Sequence, residues 1–120
     1  MPQAYIARDL AVVDDKTLRQ IVELLQPVAA VALSVKGVGE LNARDILVEV
    51  KDFGPFDRHA RDLQIIILAH EYPERAHNID ERTAQIAMYL GKMIPKGVSY
   101  SIWCILGTSS YLAFEATANQ

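Results

Sequence analysis

The order strand, helix, strand occurs twice along this chain of 120 residues, first in 1–60 and again in 61–120. A β-α-β crossover places its two strands parallel and its helix on one face of the sheet. Two such units predict an α/β (α+β) protein with a four-stranded mixed sheet and two helices on one face. At this length, 1–120 is expected to form a single domain.

Residue patterns place the elements of the first unit. The predicted elements are a strand at Gln3–Arg8, an amphipathic helix, a break at 36–39 and a strand at 45–51. Asp14 or Asp15 can cap the helix. Pro27 is expected to kink or end it, although 28–33 has the composition to resume it.

The second unit follows the same order. The predicted elements are a strand at 63–69, a polar loop at 70–77, a helix, a strand at 100–106 and a short final strand at 111–115. Asn78, with Glu81 three residues later, resembles a capping box at the start of the helix. Pro95 and Gly97 are expected to end it. The almost wholly apolar strand 63–69 is typical of a strand covered on both faces.

The strands are apolar on both sides, whereas the predicted helices cover only one side. In the third strand, Ile65 and Ile67 point to one face and Ile66 and Leu68 to the other, because successive side chains alternate. An apolar sheet face without a cover favours association. We therefore expect the chain to self-associate.

Composition narrows the classes of function. The net charge is −3 and no basic run is interleaved with aromatic residues, so nucleic-acid binding is not expected. The single cysteine, Cys104, excludes an intrachain disulfide and suits a reducing cytoplasm. No signal-peptide pattern and no apolar run of membrane-spanning length occur, so we expect a cytoplasmic protein without a membrane partner. His70, Glu71 and His77 match no compact zinc pattern, so no metal is expected.

Pro2 has the most distinctive chemistry in the chain. Removal of Met1 would leave the Pro2 nitrogen as a secondary amine at the chain terminus. A terminal α-amine has a pKa of about 7.7–8.0, which desolvation and nearby cations lower. Such an amine can act as a general base near neutral pH. Pro2 is therefore predicted to matter chemically only where Met1 has been removed.

Pro2 at the start of the first strand, the doubled β-α-β layout and the uncovered sheet together resemble the tautomerase superfamily, over essentially the whole chain. The resemblance is greatest to fused-repeat members such as 5-carboxymethyl-2-hydroxymuconate isomerase, and weaker to macrophage migration inhibitory factor. It implies a cofactor-independent isomerase acting on a small 2-keto or 2-hydroxy-dienoic acid, with a role in the degradation of aromatic compounds. It also implies a homotrimer whose three sheets face inward.

The resemblance also implies site residues. Pro2 would be the base, and Arg44, just before the second strand, and Arg75, after the third strand, would bind the carboxylate and polarise the carbonyl. The corresponding loop of the first unit, 11–13, has no arginine. The second unit begins near Arg61 without a proline, and a proline inside the chain would have an amide nitrogen that is not a base, so one active site per chain is implied. Phe56 is the nearest match to an aromatic wall residue, with Phe53 as its competitor.

Two further residues are candidates for substrate contact by position. Arg8 ends the first strand, where an ion pair with Asp9 or Glu49 is the alternative to a substrate contact. Tyr111 follows a turn after the last long strand, and it could line a pocket or simply belong to the turn.

Other functions stay open at this stage. The same fold can serve as a non-catalytic oligomer that binds a small acid or a protein partner. It can also support another reaction that depends on the proline and the arginines, such as dehalogenation or decarboxylation. Residue spacing does not separate these possibilities from isomerisation.

Overall fold

The computed structural model describes residues 2–108 and confirms the four-stranded mixed sheet with helices on one side. Its elements in chain order are β1 (Gln3–Arg8), α1 (Asp15–Leu33), a 3-10 turn (Ala43–Asp45), β2 (Leu47–Asp52), β3 (Leu63–His70), α2 (Pro73–His77), α3 (Ile79–Gly91) and β4 (Tyr100–Gly107). The strand predicted at 111–115 lies outside the described residues.

The strand order in the sheet is β2-β1-β3-β4. β1 runs parallel to β2 and antiparallel to β3, and β3 runs parallel to β4. Consequently β1 and β2 begin at the same end of the sheet where β3 and β4 finish. We call this the Pro2 end. The opposite end, where β1 and β2 finish and β3 and β4 begin, is the Arg8 end.

The hydrophobic core lies between the sheet and the two long helices. Its fully buried side chains come from one face of β1 and β3 and from the inner sides of α1 and α3. They include Ala4, Ile6, Ile65, Ile67, Ile21, Leu25, Ile86 and Leu90. Each buried Ile or Leu stabilises the fold by about 1.5–3 kcal/mol. Among the described helices, none is both long and apolar enough to cross a membrane.

α1 begins at a predicted cap and continues through Pro27, which is one of the two outcomes that the sequence allowed. The Asp14 carboxylate accepts a hydrogen bond from the Thr17 N–H at 2.8 Å, which is an N-cap. The helix then passes through Pro27 and ends at Leu33. Ala29 and Ala30, beyond the proline, are buried in the same core as Leu25 before it. This packing offsets the cost of an interior proline, about 3 kcal/mol.

The first unit differs from the prediction at the start of β2. The strand begins at Leu47 rather than at residue 45, because Ala43–Asp45 forms a 3-10 turn. The Asp45 carboxylate accepts a hydrogen bond from the Asn42 N–H at 2.8 Å, which closes the turn.

The second unit differs in its helices. The segment predicted as a loop contains α2, which Pro73 begins, since proline is favoured in the first turn of a helix. α3 starts after Asn78 as predicted, but the Asn78 side chain does not cap it. Its Oδ1 instead accepts a hydrogen bond from Arg82 Nε at 2.6 Å. α3 ends at Gly91, before the predicted stop at Pro95.

Within residues 2–108, no element covers the other face of the sheet. Exposed apolar side chains on this face come from β2, β3 and β4: Leu47, Leu68, Trp103 and Ile105. The cross-strand register places Leu68 beside Ile105 and Ile66 beside Trp103. The predicted alternation between the two faces of β3 is therefore confirmed. We call the sheet face that points away from the helices the bare face.

Candidate active site at the Pro2 end of the sheet

Pro2 is buried at the start of β1. Its carbonyl oxygen accepts a hydrogen bond from the Leu47 N–H at 3.2 Å. This bond joins the first residues of β1 to the first residue of β2. Because Arg44 lies only three positions before the first residue of β2, the same contact places the segment that carries Arg44 at the Pro2 end of the sheet.

Arg44 lies in the 3-10 turn and is exposed. Within residues 2–108, its side chain makes no hydrogen bond and no ion pair. The turn itself is held by its backbone and by the Asp45 carboxylate, which both bond to Asn42. A rigid turn therefore presents a guanidinium whose donors are available to a ligand.

Arg75 also lies at the Pro2 end, but it is only 2% exposed. Its Nε and one terminal nitrogen donate to the Leu33 carbonyl oxygen at 2.9 and 2.6 Å. The other terminal nitrogen donates to the His70 carbonyl oxygen at 2.6 Å. The guanidinium carbon lies 5.0 Å from the centre of the Tyr72 ring. Contact between Arg75 and a substrate stays a prediction, and in this chain the guanidinium is directed at the backbone.

Among the described residues, no carboxylate is in direct contact with the Arg75 guanidinium. Burial lowers the pKa of Arg75 from its ordinary value, Tyr72 opposes that change, and the positive charge of Arg82 adds to the lowering. Arg82 donates to the carbonyl oxygens of Ala32 at 3.0 Å and Ser34 at 2.8 Å. The two arginines thus share one group of carbonyl oxygens.

Arg8 lies at the other end of the sheet. Its guanidinium contacts the carboxylates of Asp52 at 2.7 Å and Asp15 at 2.6 Å, and donates to the Val13 carbonyl at 3.2 Å. Ion pairing of Arg8 with Asp9 or Glu49 is therefore wrong, because other carboxylates occupy its donors. The hydrogen bond with Asp52 raises the pKa of Arg8.

The length of β1 separates Arg8 from Pro2. At about 3.3 Å per residue, a strand of this length spans roughly 20 Å. Arg8 therefore does not join Pro2 and Arg44 within one chain, and a substrate contact for Arg8 stays a prediction that would need a neighbouring chain.

Phe56 also lies at the Arg8 end, in the turn after β2, and it is 92% exposed. Its competitor Phe53 stacks on His59, with ring centres 4.1 Å apart and an angle of 9° between the planes. Neither aromatic ring reaches Pro2 in the single chain, because β2 lies between the two ends. Tyr111 lies outside the described residues, so its role stays a prediction.

A cleft of about 610 Å³ opens at the Pro2 end, between the end of α1 and the 3-10 turn. Its lining consists of Ser34, Lys36, Glu40, Leu41 and Asn42. The lining contains one positive side chain, Lys36, and one negative side chain, Glu40. The sequence interpretation treated 36–39 only as a break between elements, so it did not identify Lys36. A lysine inside a glycine-containing break, three residues after a helix, was the available signal.

Tyr72 and Arg82 are further residues of this end that the sequence interpretation did not assign to a site. No signal in the sequence identifies the distant partners of Arg82, because the carbonyl oxygens of Ala32 and Ser34 are backbone atoms about 50 residues away in the chain. Among residues 2–108, no group of three or more His, Cys, Asp or Glu side chains is arranged to hold a metal ion.

Comparison with protein-family models and with curated proteins gave no match. Solved structures do match. Native Ps01740 is 10% identical with a TM-score of 0.62, covering 93% of this chain and 99% of that chain. FG41 malonate semialdehyde decarboxylase inhibited by 3-bromopropiolate is 15% identical with a TM-score of 0.58, covering 97% and 91%. MIF2 from Leishmania major is 14% identical with a TM-score of 0.54, covering 98% and 96%.

Two of these three structures, the decarboxylase and MIF2, belong to the tautomerase superfamily. The chain therefore has the tautomerase fold, and the resemblance inferred from the sequence is confirmed for the fold. At these identities the likeness shows the fold alone.

Proposed function

We propose that this protein is a cofactor-independent tautomerase, which shifts a proton within a small 2-keto or 2-hydroxy-dienoic acid. The observation that carries the proposal is the meeting of Pro2 and Arg44 at one end of the sheet. Pro2 is buried there and bonded to the start of β2, while Arg44, just before that strand, has an exposed guanidinium that pairs with no other described residue. The tautomerase fold supports the assignment.

The chemistry follows from these two side chains. With Met1 removed, the Pro2 nitrogen is an amine, and its burial and the nearby positive charge of Arg44 favour the neutral form. From a 2-keto acid the amine takes a proton of the carbon next to the carbonyl, and the C–H electrons form a C=C bond as charge moves to the oxygen; from an enol acid it takes the hydroxyl proton and leaves the charge on the oxygen. Arg44 binds the carboxylate and stabilises that charge. The protonated amine then returns the proton to another carbon.

The test is the ketonisation of phenylenolpyruvate by protein that begins at Pro2, compared with protein that keeps Met1. Retained Met1 turns the Pro2 nitrogen into an amide, so we expect a loss of at least about 100-fold in kcat/KM. Arg44→Ala should cause a loss of similar size, through kcat and KM together. Arg58→Ala, an exposed arginine at the Arg8 end, is the matched control and should keep full activity. Equal activity with and without Met1 would contradict the proposal.

A decarboxylase that uses the same two residues is the second candidate, because one similar structure is a malonate semialdehyde decarboxylase. Release of CO₂ from a 3-oxo acid, without enol–keto conversion, would favour it. Binding of a small acid without turnover by protein that begins at Pro2 would favour the non-catalytic module.

We also propose that the chain forms a homotrimer through the bare face. Its exposed Trp103 and Ile105, next to Leu68, make an apolar surface that water disfavours. A neighbouring chain would also be the route by which Phe56 or Arg8 approaches Pro2. Light scattering should give three times the chain mass, and Trp103→Lys should give monomers. Met88→Lys, at a similarly exposed residue of α3, is the control and should leave the mass unchanged.

A further inference from the structure

The C-terminus of α1 depends on residues from the second unit. A helix leaves its last carbonyl oxygens without partners inside the helix, and they carry partial negative charge. The last turn of α1 contains no basic residue of its own. Arg75 donates twice to the Leu33 carbonyl, and Arg82 donates to the carbonyls of Ala32 and Ser34. Two arginines of the second unit therefore cap the helix of the first.

The same two side chains are anchored in the second unit. Arg75 also donates to the His70 carbonyl at the end of β3, and Arg82 to the Asn78 side chain before α3. A buried charge without a carboxylate partner is costly unless its donors are satisfied. The hydrogen bonds of Arg75 to backbone carbonyls meet that requirement, so the buried charge is stabilised in the observed geometry without a ligand.

The segment held by these contacts is the loop 34–42, which leads from α1 to the turn that carries Arg44. Val35 and Gly39 form paired backbone hydrogen bonds, N–H to carbonyl, at 2.9 and 2.8 Å. The Leu41 N–H donates to the Ser34 hydroxyl oxygen at 3.0 Å. The loop is therefore closed on itself, and its position depends on what holds its two sides.

Tyr72 holds the turn of this loop. A side-chain carbon placed on Gly39 would lie 2.7 Å from Cε2 of the Tyr72 ring, so the ring and the loop backbone are in close contact. The Arg75 guanidinium lies over the Tyr72 ring, and the His70 ring packs against Tyr72 in a T-shaped arrangement with centroids 4.7 Å apart. Arg75 thus contacts both the residue from which the loop starts and the ring against which it turns.

We propose that Arg75 is a positioning residue, which fixes the loop 34–42 and thereby the place of Arg44, and that it does not bind the substrate itself. The part that concerns Arg44 rests on the proposed function. The part that concerns the loop depends only on the contacts above.

The first test is hydrogen exchange of the free protein, with Arg75→Met compared with wild type. The amides of Val35, Gly39 and Leu41 should exchange at least about tenfold faster, and by a larger factor than the amides of the β1–β3 ladder. Arg19→Met, at an exposed position on α1, is the matched control and should change none of them. Unchanged loop amides, or an acceleration of equal size in loop and sheet, would overturn the proposal.

Two further variants keep the test decisive if Arg75→Met does not fold. Arg75→Lys keeps the charge but cannot reach Leu33 and His70 together through a planar fork. Tyr72→Leu removes the ring edge next to Gly39 and leaves Arg75 intact. Faster exchange at Gly39 in both variants supports the proposal, and wild-type exchange in both overturns it.

The second test separates positioning from direct binding by using activity. If Arg75 acts through Arg44, Arg75→Lys should lower kcat/KM in the wild-type background but not in the Arg44→Ala background. A loss of the same factor in the Arg44→Ala background would show that Arg75 acts on the substrate independently of Arg44 and would overturn the proposal. An inactive wild-type protein whose loop still responds to Arg75→Met would contradict the proposed function and support the role in the loop.

Discussion

Each end of the sheet contains a buried arginine, and the two are stabilised in different ways. At the Arg8 end, Arg8 is 6% exposed and contacts the carboxylates of Asp15 and Asp52. At the Pro2 end, Arg75 is 2% exposed and contacts carbonyl oxygens and the face of Tyr72. Hydrogen bonding to Asp52 raises the pKa of Arg8, whereas burial lowers the pKa of Arg75.

The difference separates two uses of the same residue type. The positive charge of Arg8 is neutralised by acidic side chains that remain partly exposed to water, so Arg8 offers no uncompensated charge to a ligand. Arg75 and Arg82 have no direct carboxylate contact among the described residues, and Arg44 has no partner there at all. The Pro2 end therefore keeps positive guanidinium charge, which suits an acidic ligand. The buried part of this charge, on Arg75, is stabilised by backbone carbonyl oxygens rather than by a carboxylate.

The largest expected effect is on stability, when each arginine is replaced by methionine. Arg75→Met should lower the free energy of unfolding by about 3 kcal/mol, because it removes charged donors from buried carbonyl oxygens. Arg8→Met should lower it by only about 1 kcal/mol, because the freed carboxylates of Asp15 and Asp52 can be hydrated. Urea denaturation measures both values.

Arg19→Met, in which an exposed arginine of α1 is changed, should leave the urea midpoint unchanged. Equal losses for Arg8→Met and Arg75→Met would mean that the type of partner does not distinguish the two ends.

A smaller effect is expected where Tyr72 meets Gly39. Gly39→Ala should cost about 2 kcal/mol, because the new carbon would crowd a ring that Arg75 and His70 also hold. Gly107→Ala, at the end of β4, is the matched control, since nothing lies within 4 Å of the added carbon. Urea midpoints of the two variants test the difference. If Gly39→Ala is as stable as Gly107→Ala, Tyr72 does not hold the loop.

The smallest effect is expected at the Arg8 end, at the cap of α1. Hydrogen bonds from Thr17 lower the pKa of Asp14. A carboxyl group whose pKa is lower in the folded state contributes stability above its unfolded pKa of about 3.9, and this contribution is lost as the pH falls through the folded value. Asp14→Ala should therefore be less stable than wild type at pH 7, and the difference in melting temperature should shrink well below pH 4.

Asp14→Asn is the control for this titration, because asparagine caps a helix as well as aspartate does but carries no titrating group. Its melting temperature should stay above that of Asp14→Ala at both pH values. A difference between wild type and Asp14→Ala that does not change with pH would show that the charged form of the cap contributes nothing.

Much of the fold follows from local sequence. The bounds of β1, the Asp14 cap and the two faces of β3 were predictable, because alternation and capping depend on residues a few positions apart. The sequence left open whether the helix continues through Pro27, because only the burial of Ala29 and Ala30 decides it. α2 was missed because Pro73 was interpreted as part of a loop, although proline also begins helices.

The candidate site was predictable only in part. Pro2 was predicted from its place behind Met1 and Arg44 from the resemblance to the tautomerase superfamily, and the roles of both stay predictions. The partners of Arg75 were not predicted, because the Leu33 carbonyl lies 42 residues away in sequence and no residue type marks a backbone acceptor. Ion pairing of Arg8 was expected with Asp9 or Glu49, yet its partners are Asp15 and Asp52, and Asp52 lies opposite Arg8 only through the register of β1 and β2.

The sequence by itself determined the order of strands and helices, the apolar face that no helix covers and the proline that could serve as a base. These depend on periodicity, composition and position, which act over short distances along the chain. Only the tertiary structure decided which arginine remains available. Packing the second unit against the end of α1 buries Arg75 on carbonyl oxygens and leaves Arg44 exposed, and such contacts exist only once both units have folded together.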